Sequence, residues 1–117
     1  VLLLCVRPQQ VNLALDELSR VGASGKKIIS ILAGVQFSYL EKRIPNAFWI
    51  RAMPNLAAQV GEAMTSLSYG SRQDEAFCSF AKTLFQAMGE VLVLPERAID
   101  LATGMAGSCP AYVFGLI

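Results

Sequence analysis

Few residues in this chain can do acid, base or nucleophilic chemistry. There is no histidine, and the thiols are Cys5, Cys78 and Cys109. Without histidine a Ser-His-Asp triad and a Cys-His pair are excluded, and so is almost any zinc site. The cysteines are odd in number and lack metal-ligand spacing. Free thiols in a reducing cytoplasm are the expected state, and no metal is expected. Asp16, Glu17, Glu41, Asp74, Glu75 and Glu96 fall at helix starts or on polar faces, where solvation accounts for them. Cys109 stands at a predicted helix start, which can lower a thiol pKa, but no base accompanies it. Neither GxxxxGK[ST] nor GxGxxG is present. Chemistry carried by a cofactor fits this poverty, because hydride transfer asks the protein chiefly for positioning.

The stretch "ATGMAGSCPAYVF" (102–114) gathers small residues before a proline. Pro110 suits the first position of a helix, with Ser108 or Cys109 as its N-cap. Gly104 and Gly107 permit backbone conformations or close approaches that a side chain would block. One helix is expected to end near Gly104 and another to begin near Pro110, with close packing between them.

The elements that must position such groups follow from periodicity. "VLLLCV" (1–6) is a continuous apolar run, the pattern of a strand buried on both faces of a parallel sheet. Pro8 opens a helix with Val11, Ala14, Leu15, Leu18 and Val21 on one face. "KIISIL" (27–32) and "AFWIRAM" (47–53) are further buried strands. Between them a capping box of Ser38 and Glu41 starts a short helix reaching Ile44. "EAMTSLSYG" (62–70) is a fourth strand. Ser71 with Asp74 caps a long helix whose face is Phe77, Phe80, Ala81, Leu84, Phe85 and Met88, closed by Gly89. "EVLVL" (90–94) is the last strand, and Pro95 starts a helix toward Gly104. Strands alternating with helices over short connections predict right-handed βαβ units and an open, twisted α/β sheet. In such sheets ligands bind at the carboxyl ends of the parallel strands. Three loops qualify: Cys5 to Gln10, Leu32 to Val35 and Met53 to Leu56.

With 117 residues the chain is long enough for one domain. It is 54% hydrophobic and 16% charged, against about 25% charged in an average soluble domain. Much of it is therefore core. Its formal net charge of +1 suggests neither nucleic acid nor an anionic membrane as partner. No run approaches the roughly 18 apolar residues that span a bilayer. The first residue lies inside a strand and the last inside a helix, so a fragment of a longer protein is expected.

Five stretches in order carry a resemblance: "CVRPQ" (5–9), "IISILAGV" (28–35), "IRAMPN" (50–55), "VGEAMTSL" (60–67) and "DLATGMAGSCPAYVF" (100–114). Together they resemble pyrroline-5-carboxylate reductases, whose motifs look like AVKPQ, ISxAAG, RxMPNTP, VGEGxTxL and DAVTGLSGSGPAYVF. The resemblance implies the later part of a Rossmann-type NAD(P)-binding domain (1–94) and the start of an all-α dimerisation and substrate domain (95–117). It implies reduction of 1-pyrroline-5-carboxylate to L-proline by hydride from NADP(H) or NAD(H), in a cytoplasmic homo-oligomer joined through its C-terminal domain. A fragment lacking the rest is expected to be inactive and to expose a hydrophobic edge at its first strand.

Residue by residue, the resemblance places Cys5, Val6, Arg7 and Pro8 beside the dinucleotide. Ile31, Leu32 and Ala33 fall near its nicotinamide half, and Met53, Pro54 and Asn55 near the active site. Gly104, Gly107, Ser108, Cys109 and Pro110 become a close-packed joint between two domains. Departures from the pattern are Arg7 for Lys, Leu56 and Ala57 for Thr-Pro, Ala63 for Gly, Ala106 for Ser and Cys109 for Gly. They keep open a reductase-like paralogue that binds nucleotide or a partner without making proline, or that acts on another small imine or keto substrate.

Overall fold

The computed structural model describes residues 1–54 and 63–103. In chain order the elements are β1 (Leu2–Leu4), α1 (Val11–Arg20), β2 (Lys27–Ser30), α2 (Phe37–Arg43), β3 (Phe48–Met53), β4 (Ala63–Tyr69), α3 (Glu75–Gln86), β5 (Gly89–Val93) and α4 (Glu96–Thr103). The prolines act as their backbone chemistry dictates. Pro8, with no N–H to lose, opens a 3₁₀ turn that runs into α1. The Pro95 carbonyl accepts the Ala98 and Ile99 amides at 3.0 and 3.2 Å, starting α4.

The five strands form one sheet in the order β1-β2-β3-β4-β5. β1, β2 and β3 run parallel, β4 is antiparallel to β3, and β5 is parallel to β4. That single reversal decides the layers. Right-handed crossovers stepping from β1 to β3 put α1 and α2 on one face. A right-handed crossover from β4 to β5, stepping the same way with strands reversed, must put α3 on the other face. The buried clusters follow this rule. Leu15, Ile28, Leu40 and Trp49 pack on the α1–α2 face, while Phe77, Ala81 and Phe85 of α3 pack with Ile29, Ile50 and Leu67 on the other. α4 packs against β4, and its first residue, Glu96, pairs with Arg51 on the α1–α2 face. This is a Rossmann-type open α/β sheet.

Several local expectations are corrected. The Ser38–Glu41 capping box does not form: Gln36 is the N-cap of α2. Glu41 instead accepts from the Ser71 amide and hydroxyl at 2.9 and 2.8 Å. Asp74, not Ser71, caps α3 by accepting from the Phe77 amide at 3.2 Å. That bond, helped by Lys27 at 3.4 Å, holds the Asp74 carboxyl below its usual range. Phe80 and Leu84 are exposed, because α3 turns Phe77, Ala81 and Phe85 to the sheet. α3 ends at Gln86 with Ala87 as C-cap, and Gly89 begins β5 instead of closing the helix.

β1 departs most. It is a short edge strand, not a strand buried on both faces from 1 to 6. Leu4 is buried against α1, but Val1, Leu2 and Leu3 are exposed, since nothing pairs with the outer edge of β1 among the described residues. An apolar cleft of about 290 Å³ opens there between β1, Ile28, the α1 residues Ala14 and Leu18, and Val21 just past the end of α1.

Candidate functional site

Because β1, β2 and β3 are parallel, their carboxyl ends lie along one side of the sheet. The loops that follow them gather the residues singled out above. Cys5, Arg7 and Pro8 are exposed after β1, and Val6 packs against the α1–α2 core. Arg7 is extended, and its carbonyl accepts the Gln10 amide at 2.8 Å. After β2, Leu32 is buried, Ile31 is half-buried, and Ala33 and Gly34 are exposed. The Ile31 amide donates to the Leu4 carbonyl at 3.3 Å, so the first two loops leave the sheet side by side. Met53 and Pro54 are half-buried after β3. Asn55, Gly104, Gly107, Ser108, Cys109 and Pro110 lie outside the described residues, as do the departures Leu56, Ala57 and Ala106.

The chain turns sharply after β2. Gly34 has φ of 75°, and a Cβ there would meet nothing within 4 Å, so backbone conformation rather than crowding favours glycine. A cleft of about 330 Å³ lies beside this turn, lined by Val11, Gly34, Val35, Gln36, Ser38 and Tyr39. It sits between the start of α1 and the loop after β2, on the carboxyl side of the sheet. The small, exposed Ala33–Gly34 pair leaves backbone open to a flat ring, and the Arg7 guanidinium is exposed two residues past Cys5.

A polar row beneath these loops escaped the sequence reading. Ser30, Arg51 and Ser68 lie opposite one another on β2, β3 and β4 and are all fully buried. The Ser30 hydroxyl accepts the Leu32 amide at 3.3 Å. The Arg51 guanidinium lies 3.5 Å from Glu96 Oε2. The same carboxylate oxygen accepts the Phe37 amide, the first of α2, at 2.5 Å. The one sequence signal was a cation inside the apolar run "AFWIRAM", since a buried Arg needs a paired anion.

Cys78 lies on α3 and packs against the cluster between that helix and the sheet, and burial pushes its thiol up. Cys5 and Cys78 are free thiols. Among the described residues no helix is long and apolar enough to cross a membrane.

A pyrroline-5-carboxylate reductase from Synechocystis sp. is 42% identical over 113 residues, covering 97% of this chain and 42% of the relative. One from Methanosarcina acetivorans is 36% identical over 118 residues, covering all of this chain and 44% of the relative. The chain belongs to the pyrroline-5-carboxylate reductase family. It spans about two-fifths of the length of these curated relatives. The family's solved structures superpose on the sheet described above. The reductase from Coxiella burnetii has a TM-score of 0.89 at 28% identity, covering 97% of this chain and 43% of that one. The Plasmodium falciparum enzyme, solved with NADP bound, has a TM-score of 0.89 at 24% identity, covering 97% of this chain and 46% of that one. At that identity the second comparison speaks to the fold alone. No family model matches the chain.

Proposed function

We propose that the complete protein reduces 1-pyrroline-5-carboxylate to L-proline with NADPH or NADH, the last step of proline synthesis. The observation that carries this reading is the 42% identity over 97% of the chain. Residues 1–94 are read as the later part of the nucleotide domain, and 95–117 as the start of a helical domain that joins subunits of a cytoplasmic homo-oligomer. The substrate is a small imino acid.

The bound nicotinamide supplies a hydride to the imine carbon, and the imine nitrogen takes a proton from solvent or an acid. The chain's own residues bind and orient. Cys5, Val6, Arg7 and Pro8 form one wall, with Arg7 offering a cation to an anionic or ribose oxygen. Ile31, Leu32 and Ala33 form the second wall, where small exposed residues allow a flat ring to approach backbone. Met53, Pro54 and Asn55 form the third. Gly104, Gly107, Ser108, Cys109 and Pro110 are the joint to the helical domain beside the reacting centre.

The decisive experiment is an assay of the complete protein for pyrroline-5-carboxylate-dependent oxidation of NADPH and NADH, with proline quantified. Stoichiometric proline is expected. Nucleotide binding without turnover would replace this reading with that of a nucleotide-binding paralogue, which the changes at Arg7, Leu56, Ala57, Ala63, Ala106 and Cys109 would then explain.

A further inference from the structure

The loop from Leu32 to Gln36 is held at both ends by the polar row beneath it. At its start the Leu32 amide donates to the Ser30 hydroxyl at 3.3 Å. Just past its end the Phe37 amide donates to Glu96 at 2.5 Å. Ser30 and Arg51 are register partners on adjacent strands, and Arg51 pairs with the same Glu96 oxygen. Glu96 lies 59 residues beyond Phe37 in sequence and is the first residue of α4. A surface helix start needs no such partners. A buried guanidinium does need an anion, because an uncompensated charge inside a protein is costly. The carboxylate therefore has a fixed place, and the amide of Phe37 is drawn to it.

We propose that Glu96 is a positioning residue that sets the Leu32–Gln36 loop for nicotinamide nucleotide and ties that loop to α4, the helix leading toward the proposed joint. The proposal rests on the reading that this loop lines the nucleotide. Glu96 acts through the backbone of Phe37 and through Arg51. Ser30 holds the other end of the loop in the same way. The two anchors leave Ala33 and Gly34 as the free span of a short, clamped segment, which is how a backbone surface is kept ready for a flat ligand.

The test is NADPH and NADH affinity, measured by fluorescence titration of the complete protein, with melting temperature recorded beside it. Glu96→Ala removes both partners and should raise the nucleotide Kd about tenfold, the scale of coupling through residues that do not touch ligand. Glu96→Gln keeps an acceptor oxygen for the Phe37 amide and should stay within about threefold of wild type. A purely structural role would lower the melting temperature while the folded protein kept its Kd. An unchanged Kd in Glu96→Ala overturns the proposal, and so does a Glu96→Gln variant as weak as Glu96→Ala. If Glu96→Ala does not fold, Ser30→Ala carries the test, since it frees the other end of the loop and leaves Arg51 paired with Glu96. A weaker Kd there supports the proposal, and an unchanged one overturns it. Wild-type protein that binds nucleotide but makes no proline would defeat the functional reading and leave this one standing.

Discussion

β1 and β3 are both apolar strands that pair in parallel with β2, but among the described residues β1 has that one partner, whereas β3 also pairs with antiparallel β4. In β3, Trp49, Ile50, Arg51 and Ala52 are all buried, with helices on both faces. In β1 only Leu4 is buried, and Leu3 keeps 53% of its surface. A continuous apolar run records the burial a strand is built for. Whether it is achieved depends on lateral neighbours and on helices over both faces. β3 has these within the chain. β1 has α1 over one face and β2 along one edge, and nothing else among the described residues. The chemistry differs likewise: β3 can carry a buried cation because Glu96 reaches it from α4, whereas β1 carries no charged side chain.

The comparison predicts its largest effect at Trp49. This side chain is 1% exposed and packs with Ile28, Leu40 and Ile44 in the α1–α2 core. Trp49→Ala leaves a cavity no neighbour can fill and should cost about 3–5 kcal/mol. Urea unfolding of the 117-residue chain at low concentration measures it. A loss below about 1 kcal/mol would mean that the centre of the sheet is no better packed than its edge.

Gly70 gives the next effect, at the seam of β3 and β4. A Cβ there would stand 2.9 Å from Glu41 Oε1, 3.1 Å from the Trp49 carbonyl oxygen and 3.3 Å from Trp49 Cβ. The Trp49 carbonyl cannot retreat, because it accepts the Gly70 amide at 2.9 Å. Glu41 is held by two bonds from Ser71. Gly70→Ala should therefore cost about 1–3 kcal/mol by overpacking, read from the same unfolding curves. A neutral result would show that Glu41 and the strand ends yield freely.

The same contrast explains what was legible in the sequence. Strands and helices could be placed from apolar spacing and from Pro8 and Pro95, because those signals are local. The direction of β4 could not be read, since alternation is blind to strand direction, and with it went the face occupied by α3. The Ser38–Glu41 box was a correct local pattern defeated by a distant one: Glu41 is taken by Ser71, 30 residues away. The strand-end loops were found because a parallel sheet dictates where they lie. The Ser30–Arg51–Ser68 row and its Glu96 partner were not found, because strand register and a 45-residue separation carry no local signature.

The smallest effect on stability is expected at Leu3, and it tests the comparison from the other side. Leu3 is the register partner of Ile29 and shares its face of the sheet, but it stays exposed because the α3-side core stops short of β1. Leu3→Thr introduces a β-branched residue suited to a strand and removes an exposed apolar group. In the 117-residue chain its effect on unfolding free energy should stay within about 0.5 kcal/mol. Aggregation should fall more visibly, because an apolar edge strand is a template for pairing between chains. Light scattering at matched concentrations measures that arm. Within the complete protein, where the proposed reading sets further strands beside β1, the same substitution would remove a buried methyl surface and should cost about 1–3 kcal/mol. A large cost in the 117-residue chain would show that β1 is already covered. Equal, small costs in both would show that β1 stays an edge in the complete protein, and that the apolar run "VLLL" is not the record of a covered strand.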